Sequence, residues 1–438
     1  MASFPGEVIE PGHPAYDGAR VVWNAIADRR PAMIVRCTSV DDVVAAIRYA
    51  RESGLEVAVR GGGHSVAGFG TCDGGMVIDL SRMREVTVDP MRRRATAQGG
   101  ALLSQLDRAV QAHGLVCPVG VVGHTGVAGL TLGGGMGRLM RKFGLTIDNL
   151  LSVDLVTADG ELLRVSDAEN PDLFWGLRGA GANFGVATSF EFQLHPLDTT
   201  IFQGMVAFPL ERSLEVADRV REFVAAHDDV HVAQAFTRVE ELGGRPAYAV
   251  GATYAGAVDQ AERDLRVFRD LRPQLDTFGP RSYLDVQAMA DESMRWGQRF
   301  YMKAGFLREL SDEVIGTCVE LAETIPPGVE LSMWAFGGAV ARVPDQAMAY
   351  TGRHAPFNLS AELAWTDPSL DEERIAWARA ANARFKPFFT TGQYVNDVVE
   401  AGTDGAQIYG DTKYARLVAL KRKHDPDNFF RLNQNIRP

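Results

Sequence analysis

Cysteine is scarce here: only Cys37, Cys72, Cys117 and Cys318 occur in 438 residues. No C-x-x-C spacing and no close histidine pair accompanies them, which excludes a zinc ribbon, and four scattered thiols supply no disulfide framework. Long apolar runs are missing as well. No stretch approaches the roughly 18 residues that a membrane-crossing helix needs. The opening Met1-Ala2-Ser3-Phe4-Pro5-Gly6 has neither the basic nor the apolar region of a secretion signal. Positive charge is in deficit, with 45 Lys and Arg against 56 Asp and Glu and a formal net charge of −11. Nucleic acid and anionic membrane both reward the opposite balance. These absences lead us to expect a reduced, cytoplasmic protein with no metal site, no nucleic-acid partner and no membrane partner. Its 46% apolar and 23% charged residues are those of an ordinary globular chain, and its length suggests two domains.

Glycine, by contrast, is abundant and clustered. Leu55 to Arg60 alternates as a half-buried strand and runs directly into Gly61-Gly62-Gly63-His64-Ser65. Three consecutive glycines leave the backbone bare, so several N–H groups can turn toward one anion, with an imidazole at the lip. A second stretch, Gly120 to Gly137, has too many glycines for a stable helix and too few polar residues for a solvated linker. Backbone packed against a large planar ligand accounts for both properties. A third, Gly179 to Gly185, ends in a strand from Val186 to Leu194.

The surrounding pattern is mixed. Ser39 with Asp42 reads as the start of a helix that stops at Gly54, and Asp159-Gly160 as a hairpin turn between strands 153–158 and 161–165. From Pro196 glycine thins out. Strands at 204–208, 232–238, 247–254, 330–335 and 358–365 alternate with amphipathic helices at 214–227, 259–271, 312–325 and 372–385. The acidic run Asp371-Glu372-Glu373 suits the start of the last of these. The fold class expected is α+β, with a sheet covered by helices in the second domain. A tail helix at 414–423 precedes Asp425-Pro426.

Three chemistries compete for the glycine loops. A dinucleotide fingerprint needs strand, then glycines, then helix, whereas Gly179-x-Gly181 follows a helical turn and precedes a strand. No Gly-Lys-Ser/Thr closes any cluster, so a Walker loop is absent. Gly63-His64-Ser65-Val66-Ala67 resembles a hydrolase elbow with Ser65 as nucleophile, but the following residues would not hold the required helix, and alanine stands where glycine is usual. An esterase of that type is one alternative function, and a non-catalytic cofactor-binding protein is another.

Five motifs in order carry a specific resemblance: RGGGHSVAGFG (60–70), VVGHTGVAGLTLGGGMGRLMRKFGLTIDNL (121–150), LRGAGANFGVAT (177–188), GGAVARV (337–343) and YARLVALKRKHDPDNFFRLNQNI (414–436). The sequence resembles the berberine-bridge-enzyme-like branch of the vanillyl-alcohol-oxidase family, whose members have a PCMH-type FAD-binding fold. The resemblance implies an FAD domain over 1–195 and 396–438 and a substrate domain over 196–395. It implies that Arg60, Gly61, Gly62, Gly63, His64 and Ser65 hold the cofactor together with Gly120, Val121, His124, Thr125, Gly126, Gly129, Gly133 and Gly134. Gly181, Asn183, Gly185, Val186, Asn396, Asn433 and Asn435 are expected to complete that set. A covalent bond from His64 to the flavin 8α-methyl is implied too. A second link through Cys117 is out of register, because the family cysteine falls at Val122.

The family's Tyr-x-Asn motif matches Tyr394 and Asn396, which would lie at flavin and substrate. Asp397 stands where many relatives carry tyrosine or phenylalanine, leaving the role of base vacant. Strand periodicity puts Asn358, Ser360 and Glu362 on one face, and Ser360 occupies a position where relatives aim a polar group at the flavin. We therefore expect Glu362 or Asp397 to take the substrate proton, its pKa raised by an apolar site, although a solvated or salt-bridged strand residue explains Glu362 equally well. Trp334, Phe336, Met333 and Tyr350 are candidates for an aromatic pocket or for core; Arg353 and His354, for an anion contact or a plain turn. The expected activity is an FAD-linked oxidase that removes hydride from a small alcohol, sugar or secondary metabolite, with molecular oxygen as acceptor.

Overall fold

The computed structural model describes residues 6–438. The strand feeding the first glycine loop, Val57–Arg60, lies at the edge of a four-stranded sheet, parallel to Met76–Asp79, which in turn runs parallel to Met33–Arg36. Helix Val40–Glu52 makes the crossover. The side chain of Ser39 accepts from Asp42 N–H in a capping box, and Gly54 ends the helix at a φ of 63°. One helix face buries Val43, Ala46, Ile47 and Ala50 with Val35 and Ile78. Arg60, the last strand residue, donates to Asp79 at 2.8 Å, and this buried pair fixes where the glycine loop departs.

A five-stranded antiparallel sheet follows, ordered Val86–Asp89, Arg94–Gln98, Val186–Gln193, Leu150–Val156 and Leu162–Ser166. The last two form the expected hairpin, with Gly160 at a φ of 76°. An eight-stranded antiparallel sheet occupies the middle of the chain. Helices Ser213–Ala226, Asp312–Glu323 and Asp371–Phe385 cover one of its faces and share a core that includes Val220, Phe236, Ile315 and Phe385. Its other face looks toward the glycine loops. The tail then packs back: Leu417 and Leu420 of helix Asp411–His424 join Phe174 and Trp175, and Phe430 joins Val156 and Val186.

Three elements differ from expectation. Val127–Gly133 is helical despite its glycines, because Val127 and Leu132 bury themselves against Leu103 and Leu177, and tertiary packing outweighs weak propensity. The helix expected over 259–271 breaks into Val258–Asp264 and Arg266–Arg269. Strand Arg299–Leu307, at the edge of the large sheet, had no counterpart in the sequence reading; both its faces are covered, so it lacks clean alternation.

Arg353 is a fully buried structural residue, already paired and so not free to meet an acidic substrate group. It donates to Asp148 at 2.5 and 3.1 Å and to the Val340 carbonyl at 3.1 Å. Arg353→Met would leave the nearly buried Asp148 carboxylate without its cation, and we expect a loss of about 3–5 kcal/mol in denaturant unfolding.

Candidate active site

The first two glycine loops meet back to back. A Cβ on Gly62 would lie 2.3 Å from the Gly126 nitrogen, and one on Gly126 would lie 2.4 Å from the Gly62 nitrogen. The N–H groups of Gly62, Gly63 and Ser65 donate to no other residue among those described. They border a cavity that lies between these loops and the large sheet. A Cβ on Gly129 or Gly181, both on the cavity wall, would meet nothing within 4 Å. Bare backbone, unengaged N–H donors and empty space in front of two glycines suit a large planar molecule carrying phosphates.

His64 stands at the lip of this cavity. Its ring stacks on Trp23 with centroids 4.1 Å apart, and the His124 ring lies 5.0 Å away. Burial, and then the facing His124 ring, push the His64 pKa down to about 3. The imidazole is neutral, and its Nε2 is buried with no hydrogen-bond partner. Trp23 is itself anchored by an indole N–H bond to the Met294 carbonyl, while the Asn24 amide donates to Val66 and Phe300 carbonyls at 2.7 and 2.9 Å.

The opposite wall is supplied by the sheet and the Tyr394–Asp397 turn. Tyr394 hydroxyl accepts from Gly135 N–H at 3.1 Å and from the Asn396 amide at 2.9 Å. Burial, then the neighbouring Asp397, raise its pKa to about 12, so it remains a donor at neutral pH. Asp397 accepts from the Asn358 amide at 3.1 Å, and burial followed by repulsion from Glu362 raises it to about 7. Glu362 accepts from the Ser360 hydroxyl at 2.6 Å and is raised chiefly by burial. Strand register sets Glu330 directly opposite Glu362, and burial plus that neighbour lift Glu330 to about 7.

Most residues singled out from the sequence converge here. Arg60, Gly61, Gly62, Gly63, His64, Ser65, Gly120, Val121, Thr125, Gly126, Gly129 and Gly181 line the cavity with Asn396, Asn433, Tyr394, Asp397, Ser360 and Glu362. Others stand outside it. His124 backs His64, and both its ring nitrogens are buried without a partner. Gly133 and Gly134 make room for the side chains of Asn396, Tyr350 and Tyr394. Asn183 is wholly buried, donating to the Ala180 and Gln434 carbonyls. Gly185 lies against the Val156 carbonyl, Val186 opens a strand, and Asn435 is absent from the cavity wall. Cys117 is fully buried in the core, whereas Val122 faces the cavity. Of the aromatic candidates only Trp334 lines it; Met333, Phe336 and Tyr350 are core. Ser65 Oγ accepts from Phe69 N–H at 3.3 Å, with no helix after it, contrary to a nucleophile elbow. The sequence reading missed Trp23 and Glu330; alternation in the strand Val329–Ala335 already sets Glu330, Ser332 and Trp334 on one face.

Family models for an FAD binding domain and for a berberine and berberine-like domain match residues 31–166 and 394–437. The chain is 33% identical to (R)-6-hydroxynicotine oxidase of Paenarthrobacter nicotinovorans, over 100% of its own length and 97% of that protein. It belongs to the berberine-bridge-enzyme-like FAD-linked oxidoreductases. An FAD-linked oxidoreductase of Dictyostelium discoideum is 31% identical over 100% of this chain and 95% of the relative. Among solved structures, 6-hydroxy-D-nicotine oxidase from Arthrobacter nicotinovorans superposes with a TM-score of 0.91 at 31% identity, covering 100% of both chains. A xylooligosaccharide oxidase from Myceliophthora thermophila shares the fold at a TM-score of 0.88 and 24% identity, covering 99% of this chain and 97% of its own. This family member is thus an FAD-dependent oxidoreductase of the PCMH-type α+β fold, an enzyme acting on a small molecule. Among the described residues no helix is long and apolar enough to cross a membrane.

Proposed function

We propose that this FAD oxidoreductase carries its flavin on His64 and works as an oxidase, with Glu362 or Asp397 taking the substrate proton and molecular oxygen accepting the electrons. One observation carries this reading: a neutral imidazole with a buried, unpartnered Nε2 borders a cavity whose far wall holds Asp397, raised to about 7 by burial and then by Glu362, and Glu362, itself raised by burial. The Arg60–Ser65 and Gly120–Gly129 loops, with Gly181 and Asn433, would hold the cofactor. Bound FAD supplies a two-electron acceptor for a hydride from a substrate carbon. The chain's own share is placement. Tyr394 offers an O–H to a substrate oxygen or nitrogen, Phe300 and Met302 exclude water, and a raised carboxylate matches its proton affinity to neutral pH. No second flavin link is part of this proposal, since Val122 offers no thiol and Cys117 is out of reach in the core.

The experiment is acid precipitation of the purified protein. Yellow colour stays in the pellet, and digestion yields the peptide containing His64 heavier by one flavin adduct. His64→Ala releases its flavin into the supernatant, because only non-covalent contacts then retain it. Colour in the supernatant of the unaltered protein would remove the covalent bond from the proposal.

A further inference from the structure

Between helix Tyr283–Ala288 and strand Arg299–Leu307 the chain runs through residues 289–298 as a series of turns, and Met294 from this stretch lines the cavity. Two of its N–H groups bond back to the helix before it. The other hydrogen bonds it makes beyond itself, among the described residues, come from donors beside the glycine loops. The Trp23 indole N–H donates to the Met294 carbonyl at 2.5 Å, Gly123 N–H to the Asp291 carboxylate at 2.6 Å and Ala25 N–H to the Gln298 carbonyl at 2.9 Å. The exposed Trp296 lies against the first loop, where a Cβ on Gly63 would come within 3.2 Å of its ring. These contacts surround His64: Trp23 stacks on its ring, and Gly123 precedes His124, whose ring lies beside it. Among the described residues no ion pair leaves the stretch, since Arg295 meets only Glu292 at 3.8 Å, and of its apolar side chains only Met294 joins a buried cluster.

FAD is a large molecule, and some wall must yield for it to enter. The first two glycine loops cannot part, because Gly62 and Gly126 touch backbone to backbone, and the far wall is a continuous hydrogen-bonded ladder. Opening falls on the segment with the fewest commitments, as local unfolding does in general. We propose that residues 289–298 form a strap that lifts to admit the cofactor and then latches over His64, with Asp291 as the positioning residue that ties it to the second glycine loop. This rests on the flavin lying against His64, as proposed above. Gly297, at a φ of 85° with open space where a Cβ would be, supplies the hinge at the far end of the strap.

Closure holds the indole on which the imidazole stacks, and it pins Gly123 so that the His124 ring keeps its place beside His64. Lifting breaks three hydrogen bonds and uncovers Met294 and Gly63, without separating a strand from its sheet. A cofactor that touches the closed strap through Met294 favours that state, as any ligand favours the conformation it binds better.

Limited trypsin digestion with mass spectrometry tests this on the full chain. The exposed Arg295 reports the strap, because cleavage there needs the chain to leave its place, and the wholly buried Arg353 reports global unfolding. In His64→Ala stripped of FAD, cleavage after Arg295 should be at least about tenfold faster than in the same protein saturated with FAD, while Arg353 stays uncut. In the holoenzyme, Asp291→Ala should speed cleavage after Arg295 about fivefold or more, and Asp291→Asn, which keeps an oxygen for Gly123 N–H, should restore most of the protection. Equal cleavage with and without FAD overturns the proposal, and so does an Asp291→Ala holoenzyme cut no faster than the unaltered one. The second comparison needs no stripped protein and decides the matter if stripping unfolds the chain. Colourless unaltered protein would defeat the cofactor placement itself, whereas bound FAD that leaves Arg295 unprotected defeats only the strap.

Discussion

Replacing Glu362 by glutamine together with Asp397 by asparagine should slow anaerobic flavin reduction about 10²–10⁴-fold, the usual contribution of a positioned general base. Each amide keeps the shape and much of the hydrogen bonding of the acid it replaces but cannot accept a proton. The single variants should fall less, because the two carboxylates repel one another and removing one leaves the other easier to ionise. In the unaltered enzyme the rate should climb through about pH 7, since a base raised to that value is protonated and idle below it. Stopped-flow absorbance of the flavin measures both effects. A double variant reduced at the native rate would deprive these carboxylates of the role.

Two glycine substitutions should separate folding from cofactor binding. Gly62→Ala drives a methyl into the backbone of Gly126, and neither chain can give way by rotating a side chain. We expect little soluble protein, or protein melting many degrees lower. Gly129→Ala meets no atom within 4 Å and sits inside helix Val127–Gly133, where alanine is better than glycine by about 0.5–1 kcal/mol. That variant should fold at least as stably without cofactor, yet its new methyl projects into the cavity. Flavin content, read as the ratio of visible to ultraviolet absorbance, should therefore collapse while the cofactor-free melting temperature holds. Full flavin loading of Gly129→Ala would mean that the cofactor passes elsewhere.

Local signals made much of this readable beforehand. Ser39 with Asp42, Gly54, and Asp159-Gly160 each determine the chain's path within a few residues, so they appear where expected. The glycine triplet before His64 was equally plain, since few other side chains compete there for attention. What escaped depends on contacts distant in sequence. The opposition of Glu330 and Glu362 is a matter of strand register, which no single strand reveals. Trp23 reaches His64 only because the Met294 carbonyl, 271 positions later, holds its indole. Helix Val127–Gly133 exists through its neighbours' packing and not through its composition. Arg353 reads in the sequence as an anion contact or a plain turn before the strand Phe357–Trp365, and its carboxylate partner lies 205 residues away.

The four thiols are all buried, and each belongs to a different apolar cluster: Cys318 beneath the large sheet, Cys117 with the five-stranded sheet, Cys37 beside helix Val40–Glu52 and Cys72 near Tyr16. Burial raises every one of them, Cys37 to about 12 and Cys72 to about 11, so thiolate is scarce as well as sheltered. The native enzyme should be silent to a thiol-labelling dye. Under mild denaturant, the order in which the four peptides acquire label becomes a regional stopwatch, reporting which part of the molecule opens first without any engineered probe.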